Sequence, residues 1–367
     1  MAKAPSDLFA FAHTHRDEVV WMSQNTNTIP IDPAIEEAVR DSLQSGEHRL
    51  YSYRPGVFGL PEAILDDLSL GGSDVFLTNG GIEALYAVQR TFLSEGDEIL
   101  ATDPSFLPIH HQAEMSGARV VDLPIYGEPW KLTVEAVEAA ITEATRALLV
   151  IDPHNPLGIT YTADELRGLA EVAADHDLLL LHDVTYRDFN AGQHLATTWY
   201  PDRTLLFYSF SKGPGLAGMR IGGVVGPSAL IREVKAYDTN VLGVNVLAQR
   251  AGLAALGGKE DWLPRLRDTC RANQEIIRRA VEKTDGAHLP VFPSRSNSFV
   301  VDLQDTGIDP HRLEKRMLLD HLVHVRAGDY LSNRFGSEFI RVSFSVPTAE
   351  CERFPAAFLE TVERLRD

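Results

Sequence analysis

Seven short apolar runs recur along the first two thirds of the chain: DVFLTNG (74–80), DEILATDP (97–104), ARVVDLPI (118–125), ALLVIDP (147–153), LLLLHDV (178–184), TLLFYSFS (204–211) and IGGVVG (221–226). Most are apolar at odd and even positions alike, the pattern of strands buried on both faces. Between them lie IEALYAVQRTFLSEG (82–96), VEAVEAAITEAT (134–145) and ADELRGLAEVAADHD (163–177). Their apolar spacing predicts helices that end near glycine or acidic turns. Alternation of strand and helix predicts an α/β fold: a mostly parallel seven-stranded sheet with helices on both faces.

Beyond residue 226 the pattern changes. Helical stretches at 228–238, 243–256 and 261–285 come first, followed by SFVVDL, DPHRLEKRMLLDH, VHVRAG, FIRVSFS and a C-terminal helix. This predicts a smaller α+β domain. The expected division is 1–45 as an N-terminal segment joining the small domain, 46–255 as the large domain and 256–367 as the small C-terminal domain. No internal repeat or low-complexity linker interrupts the chain, and its loops are short.

In open α/β sheets, ligands bind outside the carboxyl ends of the strands. The polar residues of this chain gather at those ends. TNGGIEAL, DPSF, DPHNPLG, HDVTYRDF and SFSK each follow a predicted strand, and together they carry Asn155, Asp183, Tyr186, Ser209, Ser211 and Lys212. Singly, each has an ordinary explanation as a turn or a helix cap. One sheet would bring all of them together.

Composition narrows the partners. The chain has 367 residues, 44% hydrophobic, enough for more than one core. With 34 Lys and Arg against 52 Asp and Glu, the formal net charge is −18. A chain this acidic lacks the basic surface that phosphate backbones require, so nucleic acid is not an expected partner. Cys270 and Cys351 are the two cysteines. They make neither a disulfide framework nor a metal-ligand spacing, so no metal and a reducing, cytoplasmic compartment are expected. MAKAPSDLFAFAHTHRDE has no apolar h-region and is not read as a signal peptide. No stretch approaches the ~20 apolar residues that span a bilayer, so no membrane partner is expected.

FYSFSKGPGLAGMRIGG (207–223) raises the chemical question. Burial lowers a lysine's pKa and makes its neutral amine a nucleophile toward carbonyls. Lys212 is therefore either a Schiff-base lysine or half of a structural salt bridge. A phosphorylated aldehyde cofactor would need further parts. The backbone amides of Gly80, Gly81 and Ile82 suit an anion cradle at a helix N-terminus. Ser209, Ser211 and Arg220 are candidates for charge-assisted bonds. Asp183 suits the nitrogen of a pyridine ring, Asn155 and Tyr186 suit its phenolic oxygen, and Phe106 supplies a flat neighbour.

These residues resemble the fold-type I pyridoxal-phosphate enzymes, specifically the class I/II aminotransferases, over residues 22–367. DPHNPLG resembles the family's Asn-Pro-x-Gly element, DVTY its Asp-x-x-Tyr, and SFSKGPGLAGMR its Ser-x-x-Lys with an arginine eight residues on. The order and separations also agree. The resemblance implies pyridoxal 5'-phosphate as cofactor, Lys212 as Schiff-base lysine and proton shuttle, and the roles above for Asp183, Asn155, Tyr186 and Phe106. It implies that Gly81, Ile82, Ser209, Ser211 and Arg220 hold the phosphate. Arg341, in FIRVSFS, matches the arginine that grips the substrate α-carboxylate, and Asn25, in SQNTN, falls in the segment lining the substrate pocket. The resemblance also implies a homodimer whose sites borrow a tyrosine from the neighbour, Tyr53 or else Tyr51 in YSYRPGVFG. Phe106 stands where this group commonly has tyrosine, so it can stack but cannot hydrogen-bond.

Other polar residues read more plainly. His13 and His15 suit a mobile, solvated N-terminus better than a lid over the site. His110 and His111 suit a helix surface better than a metal site. Asp188 reads as part of an ordinary loop rather than a contact for a cationic substrate. Glu83 supports a helix start.

Three functions remain open on these residues. The first is an aminotransferase working between an amino acid and a 2-oxo acid by a ping-pong cycle. The second keeps the cofactor but ends in decarboxylation, elimination, oxidation or cyclisation of a specialised amino acid, for instance one derived from arginine. The third is a cofactor-free binding protein or a cofactor-dependent regulator. The regulator is disfavoured because no DNA-binding segment precedes residue 22.

Overall fold

The computed structural model of the protein describes residues 7–238 and 240–366. All seven predicted strands form one sheet: Asp74–Thr78, Glu98–Asp103, Arg119–Pro124, Thr145–Ile151, Leu179–Asp183, Thr204–Ser209 and Gly222–Gly226. Across the sheet the order is 74–78, 222–226, 204–209, 179–183, 145–151, 98–103, 119–124. Gly222–Gly226 runs antiparallel to both neighbours, and the other pairings are parallel. That single reversal brings Arg220, just before its strand, to the edge where the other strands end.

The two-faced apolar pattern has a direct cause. Along Thr145–Ile151, Ala147, Leu149 and Ile151 pack toward Leu85, Val88 and Ile109, while Leu148 and Val150 pack toward Leu166, Leu169 and Ala173. Side chains alternate across a strand, so helices on both faces demand apolar residues at every position. Each such Leu or Val side chain contributes roughly 1.5–3 kcal/mol when buried.

Helix starts differ in a way that positions the site. Helix Ala163–Asp175 opens with a complete capping box between Thr162 and Glu165. Helix Gly81–Phe92 opens at Gly80 (φ 84°, ψ 168°) with no side-chain cap. Its first amides are thus left free, and the backbone there takes a conformation that glycine adopts without a Cβ penalty. Glu83 braces this start, accepting from the Asn79 side-chain amide at 2.9 Å and from the Asn79 backbone.

The C-terminal part has its own core. Helices Lys259–Val281, Pro310–His321 and Phe354–Arg366 pack with the antiparallel strands Ser298–Asp302, Arg326–Ala327 and Phe339–Ser343. The helix expected over 261–285 begins at Lys259 and ends at Val281. Val20–Trp21 pairs in parallel with Val323–His324, which ties the N-terminal segment to this part.

From Asp7 on, the N-terminal segment is packed, whereas the sequence predicts a mobile N-terminus. Asp7 caps a helix over Leu8–Thr14, and Ala12 and Val19 pack on Leu318. Burial of this small apolar face offsets the cost of ordering the segment. His13 lies against the Trp21 ring with 5.2 Å between centroids. Among the described residues, no helix is long and apolar enough to cross a membrane.

Candidate active site

The loops after five parallel strands and the start of the reversed strand surround one cavity of about 190 Å³. After Asp74–Thr78 come Gly81 and Ile82; after Glu98–Asp103, Phe106; after Thr145–Ile151, Asn155. Asp183 and Tyr186 follow one strand end, Ser209, Ser211 and Lys212 another, and Arg220 completes the wall. These ten sequence-predicted residues thus meet at the carboxyl edge of the sheet, whereas Gly80, Asn25, Arg341 and Tyr53 are not among the residues lining the cavity.

At one end of the cavity the backbone is pared to glycine. A Cβ on Gly80 would overlap the Arg220 guanidinium. A Cβ on Gly222 would lie 2.6 Å from Tyr208 O and 2.9 Å from Gly81 N. The Arg220 guanidinium is held by the carbonyls of Ala217 (2.8 Å) and Asn79 (3.3 Å). Ser209 Oγ accepts from the Ser211 amide at 3.1 Å. Free helix amides, two hydroxyls and a guanidinium give this end the donors that suit an anion.

Asp183 and Lys212 line the middle. The Thr185 amide donates to Asp183 Oδ1 at 2.9 Å. Burial pushes the Asp183 carboxyl above the usual range, against the Thr185 bonds and the Lys212 charge. Asp183 is the one acidic residue lining the cavity among the described residues. Burial, reinforced by the positive charges of Arg341 and Arg220, lowers Lys212 to about 7, with Asp183 opposing. Its ammonium nitrogen lies 5.9 Å from the centre of the Tyr186 ring.

Arg341 enters from the C-terminal sheet and is buried. It donates to Asn155 Oδ1 at 3.0 Å and to Ser23 O at 2.5 Å, while its Nε is buried with no protein acceptor. Asn25, held in a left-handed conformation (φ 53°), donates to Asn155 Oδ1 and to the Tyr186 hydroxyl, both at 3.1 Å. Ser343 Oγ anchors it by donating to Asn25 Oδ1 at 2.7 Å.

Tyr53 and Tyr51 do not line the cavity of their own chain. Both are exposed, Tyr53 stacking on exposed Phe58 with 5.2 Å between centroids. Asp188, read as an ordinary loop residue, is fully enclosed: its side chain is 1% exposed and its Oδ1 lies 2.7 Å from Lys259 Nζ. Lys259, the nearer of its two charge partners, comes from a helix far along the chain, so no local pattern announced that contact. Thr185, Ser23 and Ser343 were also missed. Thr185 stands inside DVTY and could have been found there, whereas Ser23 and Ser343 act only through tertiary contacts.

A sheet of this order, with an amine, an acid and an anion cradle gathered at its carboxyl edge, is the arrangement of the fold-type I pyridoxal-phosphate enzymes. The family model described as aminotransferase class I and II matches residues 17–358. The chain belongs to that family and is a pyridoxal-phosphate-dependent aminotransferase. It is 29% identical over 325 residues to an arginine–pyruvate transaminase of Pseudomonas aeruginosa, covering 85% of this chain and 82% of the relative. It is 29% identical over 333 residues to a histidinol-phosphate aminotransferase of Moorella thermoacetica, covering 89% and 81%. A Thermus thermophilus aspartate aminotransferase double mutant shares the fold at a TM-score of 0.85 and 24% identity, over 98% of this chain and 97% of that one.

Proposed function

We propose that this enzyme moves an amino group between an amino acid and a 2-oxo acid by a ping-pong cycle, with Lys212 as both the cofactor-linking amine and the proton carrier. The observation that carries this reading is the placing of Lys212, lowered to about 7, in a cavity wall shared with Asp183 and the anion cradle.

The cavity's donors fit pyridoxal phosphate: an acid-free cradle for a dianion, and one carboxylate for a ring nitrogen. Gly81 and Ile82 amides, Gly80's open turn, Ser209, Ser211 and Arg220 would hold the phosphate. Asp183 would hold the ring nitrogen, Asn155 and Tyr186 the phenolic oxygen, and Phe106 a ring face. Bound there, the cofactor supplies an aldehyde that captures amines and a ring that withdraws electrons from a substrate carbon.

The chain's residues do the rest. Near neutral pH Lys212 exists in part as the free amine, so it can attack a carbonyl and later accept a proton from a substrate Cα. Arg341, with an unpaired buried Nε, suits a carboxylate and would orient the substrate so that its Cα–H faces Lys212. Asn25 steadies both Asn155 and Tyr186.

The division into 1–45, 46–255 and 256–367, and a homodimer with shared sites, belong to the same reading. The exposed aromatic stretch Tyr51, Tyr53 and Phe58 supports the dimer. Borohydride reduction of the holoprotein, with peptide mapping, tests the central assignment: the pyridoxyl label is expected on Lys212, and a label on Lys235 or Lys259 overturns it. An amino-donor screen then identifies the substrate. A donor that changes the holoprotein's absorbance, with reversal on adding a 2-oxo acid, is the expected result. Change without reversal overturns transamination.

A further inference from the structure

Beneath the lysine turn, on the side away from the cavity, four charged side chains close a ring. Lys259 Nζ lies 2.5 Å from Asp67 Oδ1 and 2.7 Å from Asp188 Oδ1, the latter a charge contact rather than an aligned hydrogen bond. Arg187 Nε lies 3.1 Å from Asp67 Oδ2, and its Nη2 3.9 Å from Asp188 Oδ2. Tyr208 donates to Asp67 Oδ2 at 2.6 Å, and Arg187 lies over the Tyr208 ring at 3.6 Å. Side-chain exposure is 10% for Asp67, 8% for Arg187, 1% for Asp188 and 19% for Lys259. Two acids and two bases balance, which is what enclosure of four charges requires.

The ring touches the catalytic strand ends at two points. Arg187 donates to the carbonyl of Ser209 at 3.3 Å. Asp188 presses against Gly213, the residue after Lys212. A Cβ on Gly213 would overlap Asp188 Oδ2 and would lie 2.6 Å from its Cγ and 2.8 Å from its Cβ. Gly213 has no left-handed φ, so this close approach alone demands glycine. The Gly213 carbonyl accepts from Asn27 Nδ2 at 2.7 Å, which clamps the peptide from another direction. Helix Lys259–Val281 grips the Asp188 loop twice more: Arg267 donates to Asp188 O at 2.7 Å and to Asn190 O at 2.8 Å.

We infer that Asp188 is a positioning residue for Lys212. Held by Lys259 and Arg187, it sets the height of the Lys212–Gly213 peptide by direct packing, and so joins helix Lys259–Val281 to the reactive amine. An ion ring that served stability alone would have no need of a glycine against its carboxylate. The inference rests on Lys212 being the reactive amine.

The test compares holoenzyme variants by borohydride labelling, kcat and KM, and cofactor-free protein by amide hydrogen exchange over residues 209–215. Gly213→Ala should lower kcat about 100-fold, the cost of a displacement near 1 Å, with little change in KM. Adding Asp188→Gly should recover only part of that loss, because the clash goes but so does the carboxylate that sets the peptide, and adding Asp188→Ala should recover less, because its Cβ stays close. Lys259→Met, outside the cavity, should speed exchange over 209–215 and lower kcat with KM kept, which gives a reading even if the Asp188 variants fail to fold. Wild-type kcat in Gly213→Ala, no recovery in a folded double variant, or wild-type exchange and kcat in Lys259→Met would each overturn the positioning role. A label on a lysine other than Lys212 would instead overturn the reading of the site.

Discussion

Arg341 and Asn155 meet across 3.0 Å, and the bond joins a strand of the C-terminal sheet to the loop after Thr145–Ile151. The bond adds a polar link between two parts that also share a buried apolar cluster, Val300 and Phe339 packing with Leu148 and Val150, and it lies where the proposed function would seat a substrate carboxylate. Arg341→Lys keeps a charge but removes the planar fork. It should lower kcat/KM for the amino acid about 100-fold, mostly through KM, since a clean charged bond contributes roughly 1.5–3 kcal/mol. Steady-state kinetics with the amino acid and with the matching amine lacking a carboxylate check this. The amine should discriminate little between wild type and variant.

Asp183→Asn should keep the cofactor bound and lose more than about 100-fold in turnover, equivalent to about 2.7 kcal/mol of transition-state stabilisation. The amide keeps the shape but cannot hold a ring nitrogen protonated. Single-turnover kinetics of the amino-acid half reaction, beside a cofactor-binding titration, separate the two effects. A near-normal rate would remove Asp183 from this role.

Lys212 makes the cofactor-free protein's stability depend on pH. Its amine loses its proton at about 7 in the fold, whereas in an unfolded chain it keeps it until about 10.4. Between these values the unfolded state binds the extra proton, so stability rises with pH through this window. Lys212→Met should therefore be more stable than wild type at pH 7, with the difference shrinking toward the upper end. Urea unfolding of both proteins across the window measures it, and a constant difference would contradict the buried amine.

Mixing two inactive variants examines the shared site. Lys212→Ala lacks the amine, and a Tyr51→Phe/Tyr53→Phe pair lacks the tyrosine hydroxyls. After reversible dissociation and reassociation, heterodimers should regain one working site each, read as activity that neither parent has. A fully active monomer in sedimentation at micromolar concentration would end the shared-site reading.

Much of this protein is legible in its sequence because the signals are local. Strands covered on both faces must be apolar throughout, so Leu178 to Leu181 announce themselves. Strand-end polar residues such as Asp183, Ser209 and Lys212 follow those runs directly, and the sheet's parallel order gathers them without further information. Asp188 differed because its meaning lies in Lys259, reached through a fold that brings 71 residues of separation down to 2.7 Å. Asn25 and Ser343 differ likewise, bonded across a separation of 318 residues. The reason is physical: periodic burial and turn chemistry are written into neighbouring residues, whereas enclosure, charge pairing and the fit of a carboxylate against a glycine exist only once distant segments have packed.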